Sequence, residues 1–109
     1  MKKMIFILSF ILANVNVVYA GYNDNMVGEV TAVMTYANGL ILFRLHNQPS
    51  SHASCNSSYF AIATNVTDIA VSRMLSRLLV AHTTKIPVNI GFDNAGDGGD
   101  GYIRVHRVG

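Results

Sequence analysis

The chain has 109 residues, half of them hydrophobic, with 13% charged residues and a formal net charge of +2. That length supports one modest core rather than two. Two of the eight Lys and Arg are Lys2 and Lys3, which leaves six cations against six carboxylates, and Arg44, Arg73, Arg77, Lys85, Arg104 and Arg107 are too scattered to form the basic stripe a nucleic acid would need.

Residues 1–20 read as an export signal. Lys2 and Lys3 precede an apolar run from Met4 to Val18, interrupted by Ser9, Asn14 and Asn16, and Val18 and Ala20 put small side chains at the cleavage positions. The run falls short of the roughly 20 apolar residues of a membrane span. A signal peptide of bacterial character is therefore expected to leave, with residues 21–109 a single exported domain, secreted or periplasmic and without a membrane span. Position 21 is Gly, so no lipid anchor is expected. Cys55 is the only cysteine, which rules out an intrachain disulfide; in the polar stretch Asn47 to Ser58 it reads as a free thiol rather than a nucleophile.

Tyr22, Asn23, Asp24 and Asn25 form a polar lead-in with one aromatic ring. From Gly28 to Tyr36 residues alternate, Val30, Ala32, Met34 and Tyr36 on one side and Glu29, Thr31, Val33 and Thr35 on the other, which predicts a first strand. Asn38-Gly39 predicts a hairpin into a second strand, Leu40 to His46, with Ile41, Phe43 and Leu45 facing together. Tyr59 to Ala63 is read as a short third strand. The sequons Asn56-Ser57-Ser58 and Asn65-Val66-Thr67 are taken as chance in a bacterial exported chain.

Thr67-Asp68 caps a predicted helix with Val71, Met74, Leu75, Leu78, Leu79 and His82 on its apolar face and Ser72, Arg73, Ser76 and Arg77 opposite, ending near Thr83. Ile86, Val88, Ile90 and Phe92 then alternate as a fourth strand that Pro87 opens. The glycine-rich loop Asp93 to Gly101 leads to a fifth strand, Tyr102 to Val108, with Ile103 and Val105 inward and Arg104 and His106 outward. The spacing of Asp93, Asp97 and Asp100 matches no standard calcium loop, so a solvated hairpin loop is the expectation there. This is a mainly β chain with one α-helix in the order β-β-β-α-β-β, which predicts a five-stranded OB-fold-like barrel; an open antiparallel sheet with the helix across one face fits the same pattern.

The stretch Met74 to Ile90, above all Thr83-Thr84-Lys85-Ile86-Pro87-Val88-Asn89-Ile90, resembles the helix and following strand of the B subunit of subtilase cytotoxin and its small exported relatives. The resemblance implies a receptor-binding subunit that assembles as a homo-oligomer, a ring of five, binds host-cell glycans and delivers a separate catalytic A chain. It also implies a disulfide, for which Cys55 has no partner, and, in members that bind sialic acid, a Ser at the start of strand one, where residues 21–30 contain none.

No phosphate-binding glycine loop, Ser-His-Asp signature, Cys-x-x-Cys pair or metalloprotease motif is present, and His46, His52, His82 and His106 share no metal-ligand spacing. No catalytic residue, metal or cofactor is expected. A sugar asks for an aromatic face and for amide or carboxylate groups to fix its hydroxyls, and Tyr22, Asn23, Asp24 and Asn25 offer both, so they are the candidate glycan-binding residues, unless they are only a loose lead-in. The sequence therefore predicts a non-catalytic binding module for glycans or, alternatively, a small structural or adaptor protein that binds another protein and no sugar.

Overall fold

Seven strands and one helix follow one another along residues 22–109, which the computed structural model describes. The strands are β1 (Asp24–Gly28), β2 (Val30–Thr35), β3 (Ile41–Leu45) and β4 (Asn56–Ile62), then, after α1 (Asp68–Thr84), β5 (Val88–Phe92), β6 (Gly98–Gly99) and β7 (Tyr102–Val108). Among the described residues the protein is mainly β with a single helix, as its alternation predicts. The expected signal peptide lies outside the described residues.

The predicted first strand is two strands. β1 pairs antiparallel with β5 and β2 with β3, so the stretch leaves one neighbour for another at Glu29. The main sheet runs β1-β5-β7-β4-β3-β2, with β6 paired on β7, and the β4–β7 pair is parallel. The expected barrel is not closed by a ladder. Its two edges, β1 and β2, are consecutive pieces of chain parted by Glu29, whose carbonyl accepts from the His46 N–H at 2.8 Å. The seam is a backbone bend instead of a row of inter-strand hydrogen bonds.

Local irregularities shift the predicted faces. Between Val30 and Ala32 the register of β2 slips against β3, so Thr31 is an extra residue. Beyond it the alternation reverses: Val33 opposite Phe43 packs on the core, whereas Tyr36 is 47% exposed. Asn38-Gly39 turns as expected, with Gly39 at φ 94° and its N–H donating to Tyr36 O at 2.9 Å.

The core gathers Phe43, Phe60 and Phe92 with Val30, Ile41, Leu45, Ile62, Leu78, Ile90, Ile103 and Val105. Phe60 stands between the other two rings, stacked on Phe43 at 5.5 Å and edge-on to Phe92 at 5.4 Å, in the geometry aromatic pairs favour. α1 starts at the Thr67 cap, whose hydroxyl accepts from Ala70 N–H, and ends where Lys85 turns left-handed at φ 67°. It buries Leu78 and Ala81 and rests Val71, Met74 and Leu75 on the core. Leu79 is 46% exposed, because the buried stripe is narrower than the predicted one. Ile86, expected inside the fourth strand, precedes β5 and is exposed. His82 ends the inner stripe with Nδ1 3.0 Å from Val30 O, a structural contact between helix and sheet. Among the described residues no helix is long and apolar enough to cross a membrane.

Candidate ligand-binding site

A row of three cross-strand partners forms the site. Asn25 of β1 faces Gly91 of β5, and Gly91 faces Arg107 of β7. Gly91 carries no side chain, so the Arg107 guanidinium spans the middle strand, and its Nη2 donates to Asn25 Oδ1 and to Asn89 Oδ1, each at 2.7 Å. Nη1 adds a bond to Asn89 O at 3.2 Å. Both amide oxygens are thereby taken, and among the described residues neither Nδ2 donates to another group, so each amide presents its N–H donors outward.

The Tyr22 ring occupies the space above the same glycine. A Cβ at position 91 would stand 2.8 Å from its Cε2. Tyr22 as a whole remains 42% exposed, with the Arg107 guanidinium carbon 5.8 Å and the His106 ring 6.2 Å from its ring centroid.

His106 and Arg107 reach the same side because the β5–β7 register jumps: Gly91 opposes Arg107 while Phe92 opposes Val105, leaving His106 as the extra residue of a bulge. Asp97 holds His106 through Nε2 and contacts Arg104 Nε at 3.5 Å. Beside this cluster a shallow cavity of about 400 Å³ lies between the first turns of α1 and the end of β7, lined in part by Arg73, Met74, His106 and Arg107.

The four predicted residues divide into two pairs. Tyr22 and Asn25 belong to the outward cluster. Asn23 and Asp24 are directed to the 93–101 loop, where Asn23 Oδ1 accepts from Asn94 N at 3.1 Å and Asp24 Oδ2 from Asn94 Nδ2 at 3.2 Å. Nor is the stretch a loose lead-in, since Asp24 and Asn25 lie within β1 and Asn23 N–H donates to Phe92 O. Sequence reading missed Asn89, His106 and Arg107. Gly91 inside an apolar strand was the available signal, because a strand glycine marks a close approach.

The loop's carboxylates are tied to separate partners. Asp93 Oδ1 accepts from Ala95 N and Gly96 N, Asp97 holds His106 and Arg104, and Asp100 accepts from Thr64 N at 3.0 Å. Among the described residues no group of three or more His, Cys, Asp or Glu is placed to hold a metal ion. Cys55 is half-buried beneath the loop, and burial first, then the charges of Asp97 and Asp93, push its thiol pKa up. A nucleophilic cysteine needs the opposite shift.

Set against family models, curated proteins and solved structures, the chain matches none of them.

Proposed function

We propose that the protein is an exported, non-catalytic binding module that takes saccharides at the Tyr22 site, as the subunit of a small assembly of the toxin B-subunit kind. One observation carries this reading: an exposed aromatic ring is held over Gly91 beside two Asn side chains whose amide oxygens are both occupied by Arg107. The apolar face of a pyranose lies against Tyr22, and the amide N–H groups of Asn25 and Asn89 donate to its hydroxyls. Because Arg107 fixes both amides before a ligand arrives, little side-chain freedom remains to be lost on binding. A separate catalytic chain and host glycans as ligands belong to the same proposal, on the resemblance of residues 74–90.

Glycan-array binding by the purified protein tests it, with Tyr22→Ala and Asn25→Ala as paired variants that lose the signal. The use of Asn23 and Asp24 on Asn94 favours a second reading, an exported adaptor that binds a protein and no sugar. Flat arrays at millimolar saccharide decide for that second reading.

A further inference from the structure

Along the outer side of α1, Arg73 and Arg77 stand one helical turn apart, both exposed and neither in a salt bridge among the described residues. Next to them a groove of about 630 Å³ opens between α1 and the approach to β5, lined in part by Val80, Ala81, Ile86 and Pro87. Val80 and Ile86 are each 62% exposed. A single exposed aliphatic side chain is common, but two in one concavity beside two unpaired guanidinium groups form an amphipathic surface with a definite charge. Among the described residues no Asp or Glu side chain lines the groove.

We propose that this groove docks an acidic, apolar-anchored segment of another protein. Aliphatic side chains of the segment cover Val80, Ile86 and Pro87, and two carboxylates one turn apart reach Arg73 and Arg77, where charge-assisted hydrogen bonds set orientation. From Ser72 to Thr84 the helix rises about 18 Å at 1.5 Å per residue, room for roughly twelve residues of a helical segment.

A second copy of this chain does not supply the complement. Asp24, Asp93, Asp97 and Asp100 already accept bonds within their own fold, and Glu29 and Asp68 are single carboxylates, not a pair on one turn. The two guanidinium groups, one turn apart beside a concavity, match a pair of carboxylates spaced along one peptide, and anionic vesicles are an outcome of the test. The proposal stands whether or not the Tyr22 site takes a saccharide.

Two designed helical peptides of about fifteen residues test it by fluorescence anisotropy with the purified protein, both with Leu at i, i+3 and i+7 and with Glu in one where the other has Lys. The Glu peptide is expected to bind at least roughly tenfold tighter than the Lys peptide at low salt, and to weaken as salt rises. Arg73→Glu with Arg77→Glu reverses the preference, the milder Arg73→Gln with Arg77→Gln removes it, and Val80→Asp abolishes binding. Tyr22→Ala leaves peptide binding unchanged, which separates this surface from the saccharide site. All these positions are exposed, and an unchanged thermal melt verifies the fold. Equal affinity for the two peptides, no binding of either, or indifference to charge reversal overturns the proposal. So does binding to phosphatidylglycerol vesicles in place of the peptide, or self-association that Val80→Asp disperses.

Discussion

The ring of Tyr22 rests so close to Gly91 that a single methyl group at position 91 would stand 2.8 Å from its Cε2. Gly91→Ala therefore displaces the ring without enlarging any core side chain. We expect saccharide binding to fall to the level of Tyr22→Ala while the melting temperature moves by only a few degrees, the scale of about 1 kcal/mol in a domain of this size. Retained binding in Gly91→Ala shows that Tyr22 is not the platform.

Arg107 acts through the amides it holds. Arg107→Lys keeps a charge, but its ammonium ends one atom short of Nη2, the nitrogen that bonds both Asn25 and Asn89, and loses the Nη1 bond to Asn89 O. Saccharide affinity should drop about as far as in Arg107→Ala, measured by calorimetric titration, since the shorter lysine does not reach both amide oxygens across β5 from its place on β7. Full activity of the Lys variant means charge alone suffices.

Leu78 and Leu79 are neighbours with opposite fates, the first fully buried and the second 46% exposed. Leu78→Ala should cost about 2–5 kcal/mol in denaturant unfolding, as large-to-small core changes do, and Leu79→Ala within about 0.5 kcal/mol. Similar losses at both positions contradict the helix orientation.

Cys55 gives a pH dependence with a fixed sign. Its thiol pKa is raised in the folded state, by burial and then by Asp97 and Asp93, so the folded chain holds its proton more tightly than the unfolded chain. The contribution to stability is present in full below the ordinary thiol range, near pH 8.5, and is lost as pH rises through the elevated folded value. Thiol labelling by a disulfide reagent at neutral pH should be slower than for free cysteine, and Asp97→Asn should quicken it. Rapid labelling at neutral pH excludes the raised value.

Assembly is expected at the two strand edges. Among the described residues β1 and β2 each pair on one side only, and Val27 on β1 is 55% exposed. Open edges invite pairing with another chain. Multi-angle light scattering at micromolar concentration should give a homo-oligomer, with a pentameric ring as the expected closed form, and Val27→Asp should lower the mass. A monomer throughout that range removes the ring from the proposal.

β3, α1 and β7 were legible because each carries its pattern within itself: Ile41, Phe43 and Leu45 at alternate positions, a capping Thr67, Ile103 and Val105 inward. β1 was not, since Asp24 and Asn25 become strand only through pairing with Phe92 and Gly91 on a segment far along the chain. The bulge at Thr31 likewise lies in the match between two strands, so alternation read along one of them assigned Tyr36 to the wrong face. Half of the candidate site followed the same rule. Tyr22 and Asn25 were visible as an aromatic and an amide, whereas Arg107 and Asn89 enter only through the register that sets them beside Asn25.

The bond between Arg107 and Asn25 joins residues 82 positions apart. During synthesis Asn25 therefore emerges first and waits without its partner until a further 82 residues have been made. Closing so long a loop is among the slower events in folding a small β domain. If the chain is exported and binds saccharides as proposed, one still threading through an export channel would carry no completed site, and recognition would be acquired late and all at once.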